Sequence, residues 1–224
     1  MSFMKKSRAK KDLAITGLTA KWYNKNSRAR LAELAKVADT IGAKVGVEAK
    51  ILEIAPGPGY LSIELARRGF DVTGVELSAD FVEIEKKNAA REGVRVDFRQ
   101  GNAAALPLPG GAFDFIVCMA AFKNFSEPQK AMEEMYRVLK PGGTALIIDM
   151  NRENTDEDIE EAMREYPKMK GFDRWFVKLS FKTFLKNGAY NKQEFEEFAA
   201  HTDFRDHEII KSGTGFHVWL YKQR

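Results

Sequence analysis

The sequence has very little cysteine and no long apolar stretch. Cys118 is the one cysteine in 224 residues, so the chain cannot form an internal disulfide or build a zinc site from cysteine ligands. No apolar stretch approaches the length of about 20 residues that a membrane-spanning helix needs. The basic N-terminal segment is not followed by the apolar core of a secretory signal. These absences predict a cytoplasmic protein without a membrane span.

An excess of one sign of charge is also lacking over the whole chain. Lys and Arg number 36 and Asp and Glu number 32, a net charge of +4, but a dense basic run, KKSRAKK, occupies residues 5–11. Such a run can contact nucleic acid. No aromatic side chains alternate with it to stack on bases. We therefore interpret it as a solvated terminus and do not expect a nucleic-acid partner.

What the sequence does contain is a regular alternation of short apolar runs and amphipathic helical stretches. The apolar runs are KILEIA (50–55), DVTGVE (71–76), VRVDF (94–98), DFIVCM (114–119) and TALIID (144–149). Such runs are typical of strands buried on both faces, and two further strands, DHEIIKSG and GFHVWLYKQ, follow near the C-terminus. The pattern predicts an α/β fold. We expect a Rossmann-like, seven-stranded, mostly parallel sheet with helices on both faces and a C-terminal antiparallel hairpin.

Local signals predict where the helices begin and end. Gly69, Gly93 and Gly142 are expected just past helix ends, where a left-handed residue is favoured. Ser126 and Gln129 have the spacing of a capping box at the start of a helix. Thr155 is the expected N-cap of an acidic helix, TDEDIEEAMREY.

The first strand runs into a glycine-rich turn, LEIAPGPGY, residues 52–60. A dinucleotide site has a G-x-G-x-x-G/A turn and an acidic residue about 20 positions later; Gly57, Gly59, Ser62 and Glu76 come close to this pattern. Glu53, however, would set a carboxylate against an anionic pyrophosphate. A cationic ligand such as S-adenosylmethionine reverses that repulsion, and Glu76 can accept hydrogen bonds from both ribose hydroxyls. The two acids therefore favour a cationic, ribose-bearing ligand.

These segments resemble the class I S-adenosylmethionine-dependent methyltransferases, in the broad subgroup that includes ubiquinone/menaquinone-type small-molecule enzymes. Four segments carry the resemblance in order and at the expected spacing: ILEIAPGPGYLSIELARRG, VTGVELSADFVEIEKKNA, VDFRQGNAAALPLPGGAFDFIVCMAAF and AMEEMYRVLKPGGTALIID. The resemblance implies an S-adenosylmethionine-binding core over residues 45–150. Residues 1–44 would be a helical segment covering cofactor and substrate, residues 151–190 a helical insertion acting as a substrate lid, and residues 191–224 the last helix and hairpin.

The resemblance also assigns cofactor-binding positions. Carried over position by position, they surround the methionine moiety, the ribose and the adenine: Tyr23, Glu53, Ala55, Gly57, Gly59, Glu76, Leu77, Asn102, Ala103, Met119 and Ala120. Two of them depart from the family pattern, since Ala55 stands where the first glycine is usual and Asn102 where aspartate is usual. Alanine is the mildest replacement if φ at position 55 is negative, so we expect cofactor binding to survive, and we expect a slightly weaker adenine contact at Asn102.

The implied reaction is methyl transfer to a nitrogen, oxygen or carbon nucleophile of a small molecule by in-line displacement. Positioning supplies much of the acceleration in such a reaction, so we assign no catalytic residue and expect no metal. Candidate acceptor-binding residues are Lys123, Asn124, Asp149 and Trp175. Monomer and homodimer both remain open. The alternatives are methylation of RNA or protein, motivated by the basic N-terminal run, and a cofactor-binding module without catalysis.

Overall fold

The computed structural model describes Asp12, residues 14–164 and residues 188–224. Over these ranges the strands join one sheet; they are β1 (Lys50–Ile54), β2 (Asp71–Glu76), β3 (Asp97–Gln100), β4 (Phe113–Met119), β5 (Leu139–Met150), β6 (Asp206–Ser212) and β7 (Gly215–Tyr221). Their order across the sheet is β3-β2-β1-β4-β5-β7-β6. Strands β1 to β5 pair in parallel, and β7 pairs antiparallel with both β5 and β6. The predicted mixed sheet with its terminal hairpin is confirmed.

Helices cover this sheet on both faces. They are α1 (Gly17–Ser27), α2 (Leu31–Gly42), α3 (Tyr60–Arg67), α4 (Ala79–Arg91), α5 (Pro128–Val138), α6 (Asp156–Arg164) and α7 (Lys192–Ala200), with 3₁₀ turns at Arg28–Arg30 and Phe122–Asn124. Apolar residues of α2, α3 and α4 belong to one core cluster. Those of α5 and α7 belong to a second.

Strand β4 shows how the sequence divides the core into these two layers. Successive side chains of a strand point to opposite faces. Phe115 and Val117 therefore pack with the α2, α3 and α4 cluster, while Ile116 and Cys118 pack with α5 and α7. All four are fully buried. A central strand without a polar face explains why this segment is one continuous apolar run.

The predicted N-cap at Thr155 and the predicted glycines at 69 and 93 are confirmed, whereas the prediction for Gly142 is wrong. Thr155 accepts a hydrogen bond from the Asp158 N–H at 3.1 Å and caps α6 as predicted. Gly69 and Gly93 have φ of +90° and +68° just past the ends of α3 and α4. Gly142 does not follow a helix end, because α5 ends at Val138 and the chain enters β5 directly.

The predicted capping box at Ser126 is wrong. The hydroxyl of Ser126 donates to Asp12 instead, and the N-cap position of α5 is Glu127. Pro128 occupies the first position of the helix, where its fixed φ is compatible with the helix and its missing N–H would have been unpaired anyway. A long-range hydrogen bond has thus displaced a local one.

Candidate active site at the carboxyl edge of the sheet

A cavity of about 650 Å³ lies beyond the carboxyl ends of β1, β2 and β4. Open α/β sheets bind ligands at this edge. Ten predicted site residues line the cavity: Tyr23, Glu53, Ala55, Gly57, Glu76, Leu77, Met119, Ala120, Lys123 and Asn124. Gly59, Asn102, Ala103 and Asp149 lie outside this lining, and Trp175 lies outside the described residues.

Glu53, the next-to-last residue of β1, lies at the floor of the cavity with only 3 % of its surface exposed. Ser62 Oγ donates to its carboxylate at 2.5 Å. Burial raises the pKa of Glu53 to about 7, the bond from Ser62 opposes that rise, and the nearby Glu76 adds to it. This carboxyl group therefore exchanges its proton near neutral pH and gains from any cation that arrives beside it.

Glu76, the last residue of β2, holds the glycine turn. Its Oε2 accepts from the Gly57 N–H at 3.1 Å and its Oε1 from the Ser78 N–H at 2.9 Å. Burial raises the pKa of Glu76 above its ordinary value, and the backbone donors oppose that rise. The Leu77 N–H is a third backbone group that lowers this pKa, so the carboxylate is held by the glycine turn and by the residues that follow β2.

The turn itself adopts left-handed conformations at Ala55, Gly57 and Gly59, with φ of +56°, +59° and +78°. The condition of a negative φ at Ala55, under which alanine replaces glycine without strain, is therefore not met. The Ala55 N–H still donates to the Val75 carbonyl at 2.8 Å, so this pairing with β2 continues past the last residue of β1 into the turn. A left-handed alanine costs roughly 1–2 kcal/mol. A Cβ at Gly59 would meet the Phe98 ring at 2.9 Å, which requires glycine there.

Ala120, directly after β4, repeats this backbone feature at the end of the strand next to β1. Its φ is +58°, and its N–H donates to the Ile148 carbonyl at 2.7 Å. Strained backbone of this kind is concentrated at functional sites. Sequence reasoning selected both alanines as site residues without foreseeing their conformation.

Asn102 is occupied by protein groups. Its Oδ1 accepts from the Ala104 N–H at 2.8 Å, and its Nδ2 donates to Asp12 at 3.1 Å. Asp12 also accepts from the N–H and the hydroxyl of Ser126, at 2.9 and 2.5 Å. Burial raises the pKa of Asp12, but the bonds from Ser126 and Asn102 outweigh it and lower that pKa below its ordinary value. We call this arrangement the Asp12 clasp.

Sequence reasoning missed Asp12 as a site residue, although it lines the cavity. The available signal was an isolated acid directly after the basic run at residues 5–11.

A second group that sequence reasoning missed connects α1 to the glycine turn. Asn24 Oδ1 accepts from the Tyr60 hydroxyl at 2.9 Å and from Asn88 Nδ2 at 3.0 Å, and Asn88 Nδ2 also donates to the Pro58 carbonyl at 2.8 Å.

Lys123 and Asp149 pair with each other. Lys123 Nζ lies 3.1 Å from Asp149 Oδ1 and also donates to the Ala120 carbonyl. The Lys123 N–H donates to Asp149 Oδ2 at 2.8 Å. Both residues are buried. The pair fixes the loop after β4, and the carboxylate of Asp149 is already used.

Glu85 of α4 is a third buried acid close to the turn. Its oxygens have no hydrogen-bond partner within the ranges that the structure describes, and a Cβ at Gly59 would lie 3.1 Å from its Cγ. Burial raises the pKa of Glu85 to about 10, with further contributions from Glu76 and Glu53. This side chain is a neutral carboxylic acid at physiological pH.

Two features are absent from the described residues, a metal-binding cluster of side chains and a membrane-spanning helix. No group of three or more His, Cys, Asp or Glu lies together in a way that could hold a metal ion. No helix in the same ranges has the length and apolar character needed to cross a bilayer.

Comparison with known proteins shows which domain and which fold the chain resembles. Residues 52–147 match the family described as a methyltransferase domain. The chain is 37 % identical over 102 residues to the demethylmenaquinone methyltransferase of Thermus thermophilus, covering 45 % of this chain and 46 % of that protein. It is 30 % identical over 152 residues to a ubiquinone biosynthesis O-methyltransferase of Chelativorans sp., covering 61 % and 60 %. The chain thus spans about half the length of the curated relatives that it matches.

A solved structure agrees over nearly the whole chain. It comes from Methanococcus maripaludis and was described as a candidate S-adenosyl-L-methionine-dependent methyltransferase. The TM-score is 0.74 at 24 % identity, covering 95 % of this chain and 98 % of that one. Residues 52–147 thus match a methyltransferase domain, and the fold is that of the class I S-adenosylmethionine-dependent methyltransferases, whose cofactor is S-adenosylmethionine.

Proposed function

We propose that the protein transfers the methyl group of S-adenosylmethionine to a nitrogen, oxygen or carbon nucleophile of a small molecule. The observation that carries this proposal is the pair of buried carboxyl groups, Glu53 and Glu76, that line one cavity beside a glycine turn. Neither forms an ion pair with Lys or Arg within the described part of the chain. Two buried acids without a cationic partner suit a cationic ligand.

The cavity residues fit the parts of the cofactor. Glu76 would accept hydrogen bonds from the ribose hydroxyls. Glu53 would attract the ammonium and sulfonium charges. Gly57 and Gly59 would allow the backbone to approach the methionine moiety. Leu77 would pack against the adenine.

The remaining assignments of cofactor-binding residues are weaker. Met119 and Ala120 would contribute backbone groups near the ammonium. Tyr23, whose ring lies edge-on to Phe81 at 5.9 Å, would close the cavity from α1. Asn102 and Ala103 stay as proposed adenine neighbours, although both lie outside the cavity lining. The carboxylate of Asp12 accepts a hydrogen bond from Asn102 within the clasp.

When bound, S-adenosylmethionine supplies a methyl group already activated by the sulfonium, so the protein's task is alignment. The residues around the cavity would hold the cofactor, exclude water and present an acceptor in line with the methyl carbon. A proton leaving the acceptor needs a base only when the nucleophile is protonated. Lys123 cannot easily serve, because it is held by Asp149 and by the Ala120 carbonyl.

The acceptor itself is open to direct assay. The cavity volume of about 650 Å³ lies within the range of about 300–1,000 Å³ typical of small-molecule sites. Because the similar proteins named above include quinone-pathway methyltransferases, quinols and phenols are the first acceptors to test, followed by amines. Asn124, which lines the cavity, is a proposed acceptor contact, and Trp175 stays a prediction from the sequence.

Cofactor binding can be tested before the acceptor is known. A ligand at 100 times its dissociation constant stabilises a protein by about 2.7 kcal/mol. S-adenosylhomocysteine should therefore raise the melting temperature clearly and NAD should not. Glu76→Gln should weaken S-adenosylhomocysteine binding at least about tenfold, since it removes a charged acceptor, whereas Glu83→Gln on the exposed side of α4 should not. Stabilisation by NAD alone would contradict the proposal.

The alternatives give different results in the same assays. A cofactor-binding module without catalysis would bind S-adenosylhomocysteine but transfer no labelled methyl group to any acceptor. An RNA or protein methyltransferase would label a macromolecule and not the small-molecule panel. A cytoplasmic location and a monomeric or homodimeric state complete the proposal; fractionation and sedimentation analysis test them.

A further inference from the structure

The outward side of α1 exposes two large apolar side chains. Leu18 and Trp22 are 82 % and 63 % exposed. They lie four residues apart and so share one side of the helix on adjacent turns. The inward side carries the buried Ala20, together with Tyr23, Asn24 and Ser27, which take part in hydrogen bonds or line the cavity. A surface helix of a globular protein normally turns its large apolar side chains towards the core.

Positive charge surrounds this apolar face. Lys21 and Lys25 are exposed on α1 beside Trp22. The first 30 residues contain nine Lys or Arg and one acid, whereas the other 194 contain 27 and 31. The one acid, Asp12, is engaged in the clasp. The N-terminal region is thus strongly basic on a chain whose remainder is slightly acidic.

The face is held in a fixed position over the cavity. The Gly17 N–H donates to Asp80 at 2.6 Å, and Ser78 Oγ donates to the Ile15 carbonyl at 2.6 Å. Ile15, Tyr23 and Ser27 line the cavity from the inward side. The same helix therefore covers the candidate active site and presents Leu18 and Trp22 to the outside.

We propose that the outward face of α1 docks on the surface of an anionic lipid bilayer. Leu18 and Trp22 would enter the boundary between headgroups and acyl chains, where indole rings are favoured. Lys21, Lys25 and the basic N-terminal residues would contact anionic headgroups, each such contact adding to the affinity. A helix with an apolar face flanked by Lys is the usual form of an interfacial anchor.

The bilayer accounts for the face better than other anionic partners do. Nucleic acid would use the lysines and could stack on Trp22, but it offers no apolar environment for Leu18. A second copy of the chain would bring two strongly basic regions together, which repel each other. Docking would also bring the helix that covers the cavity to the lipid surface, where a lipophilic acceptor is dissolved. The docking itself does not depend on the proposed function.

The experiment is vesicle flotation with the full chain. Vesicles of phosphatidylcholine with and without phosphatidylglycerol are compared for the wild type, for Leu18→Gln/Trp22→Gln, and for the control Val47→Gln/Ile210→Gln. Val47 and Ile210 are also exposed, at 94 % and 43 %, but lie outside α1. We expect binding to anionic vesicles, weakened at least about tenfold by the α1 variant and unchanged by the control. Trp fluorescence should shift to the blue on vesicle addition, and Trp22→Phe should lose that shift.

Stabilisation by S-adenosylhomocysteine should be the same in both double variants and the wild type, which shows that they are folded. Absence of vesicle binding, or equal binding by both variants, overturns the proposal. So does binding of RNA but not vesicles. Self-association that the α1 variant abolishes, without vesicle binding, assigns the face to a second copy and overturns it as well.

Discussion

Two regions at the carboxyl edge of the sheet each bury acids, but they satisfy them differently. At the end of β5, Asp149 has Lys123, from the loop after β4, at 3.1 Å. At the ends of β1 and β2, the donors to Glu53 and Glu76 are hydroxyl and N–H groups, and burial raises the pKa of both. The first region pairs its acid with a cation of the protein. In the second, no Lys or Arg among the described residues forms an ion pair with either acid, so the contrast separates a structural ion pair from a candidate binding site.

Breaking the ion pair should have the largest effect. Asp149→Ala leaves the Lys123 ammonium buried beside the Ala120 carbonyl, and removing one partner of a buried pair costs about 3–5 kcal/mol of unfolding free energy. Urea denaturation measures the loss. The matched double variant Lys123→Met/Asp149→Leu should regain most of it, because the charge that lost its partner is gone. Equal stability of Asp149→Ala and the wild type would show that the pair contributes nothing.

Glu85 tests how far the second region tolerates an acid without a partner. Its folded pKa of about 10 lies above its unfolded value of 4.5, so the folded state holds the proton more tightly. The unfolding free energy should therefore fall by about 1.4 kcal/mol per pH unit as the pH rises above 4.5 towards 10.

Glu85→Gln should reduce the slope by that amount and leave the part that the raised pKa of Glu53 contributes below pH 7, whereas Glu83→Gln on the same helix should leave the full slope. Denaturation at pH 5, 6, 7 and 8 provides the comparison. Parallel curves for the wild type and Glu85→Gln would mean that Glu85 is ionised in the folded protein.

Glu53 sharpens the comparison through ligand binding. Its carboxyl group has a folded pKa of about 7 and is protonated below that value in the free protein. A cationic ligand favours the ionised form, so affinity for S-adenosylmethionine should rise by up to about tenfold per pH unit from pH 5 to 7 and then level off. Calorimetry across this range should show a nearly flat profile for Glu53→Gln. Identical profiles would remove Glu53 from the binding site.

The smallest expected effect concerns the strained alanine of the turn. Ala55→Gly relieves a left-handed alanine but increases the entropy of the unfolded chain, so the net gain in unfolding free energy should be below about 1 kcal/mol. Ala120, directly after β4, has a similar φ, so Ala120→Gly is the matched substitution. Calorimetric melting of both variants measures the gain. A loss of stability in Ala55→Gly would show that its methyl group packs more than it strains.

The sheet and the two acids were predictable because they depend on local pattern. Strand ends are visible in the apolar runs, and parallel strands bring their carboxyl ends to one edge, so Glu53 and Glu76 had to lie close together. The Asp12 clasp joins residues 114 positions apart, and no periodicity in the sequence encodes such a bond. The Lys123–Asp149 pair spans 26 positions and was missed because each residue was assigned separately to the acceptor.

The conformation of Ala55 was missed for a different reason. Alanine normally adopts a negative φ. Ala55 instead has a positive φ where its N–H pairs with the Val75 carbonyl and the chain turns into Gly57. Tertiary structure overrides local preference here. The predicted lid over residues 151–190, with Trp175, falls largely outside the described residues and stays a prediction.

Cys118, the one cysteine of the sequence, gives the protein a built-in reporter. It lies in β4 between β1 and β5, is fully buried, and burial raises the pKa of its thiol well above the ordinary value. Only the thiolate reacts with alkylating agents, so labelling requires the centre of the sheet to open. Because the chain has no second thiol, the rate at which the single adduct forms, divided by the rate for the unfolded chain at the same pH, measures the opened fraction of any variant without dye.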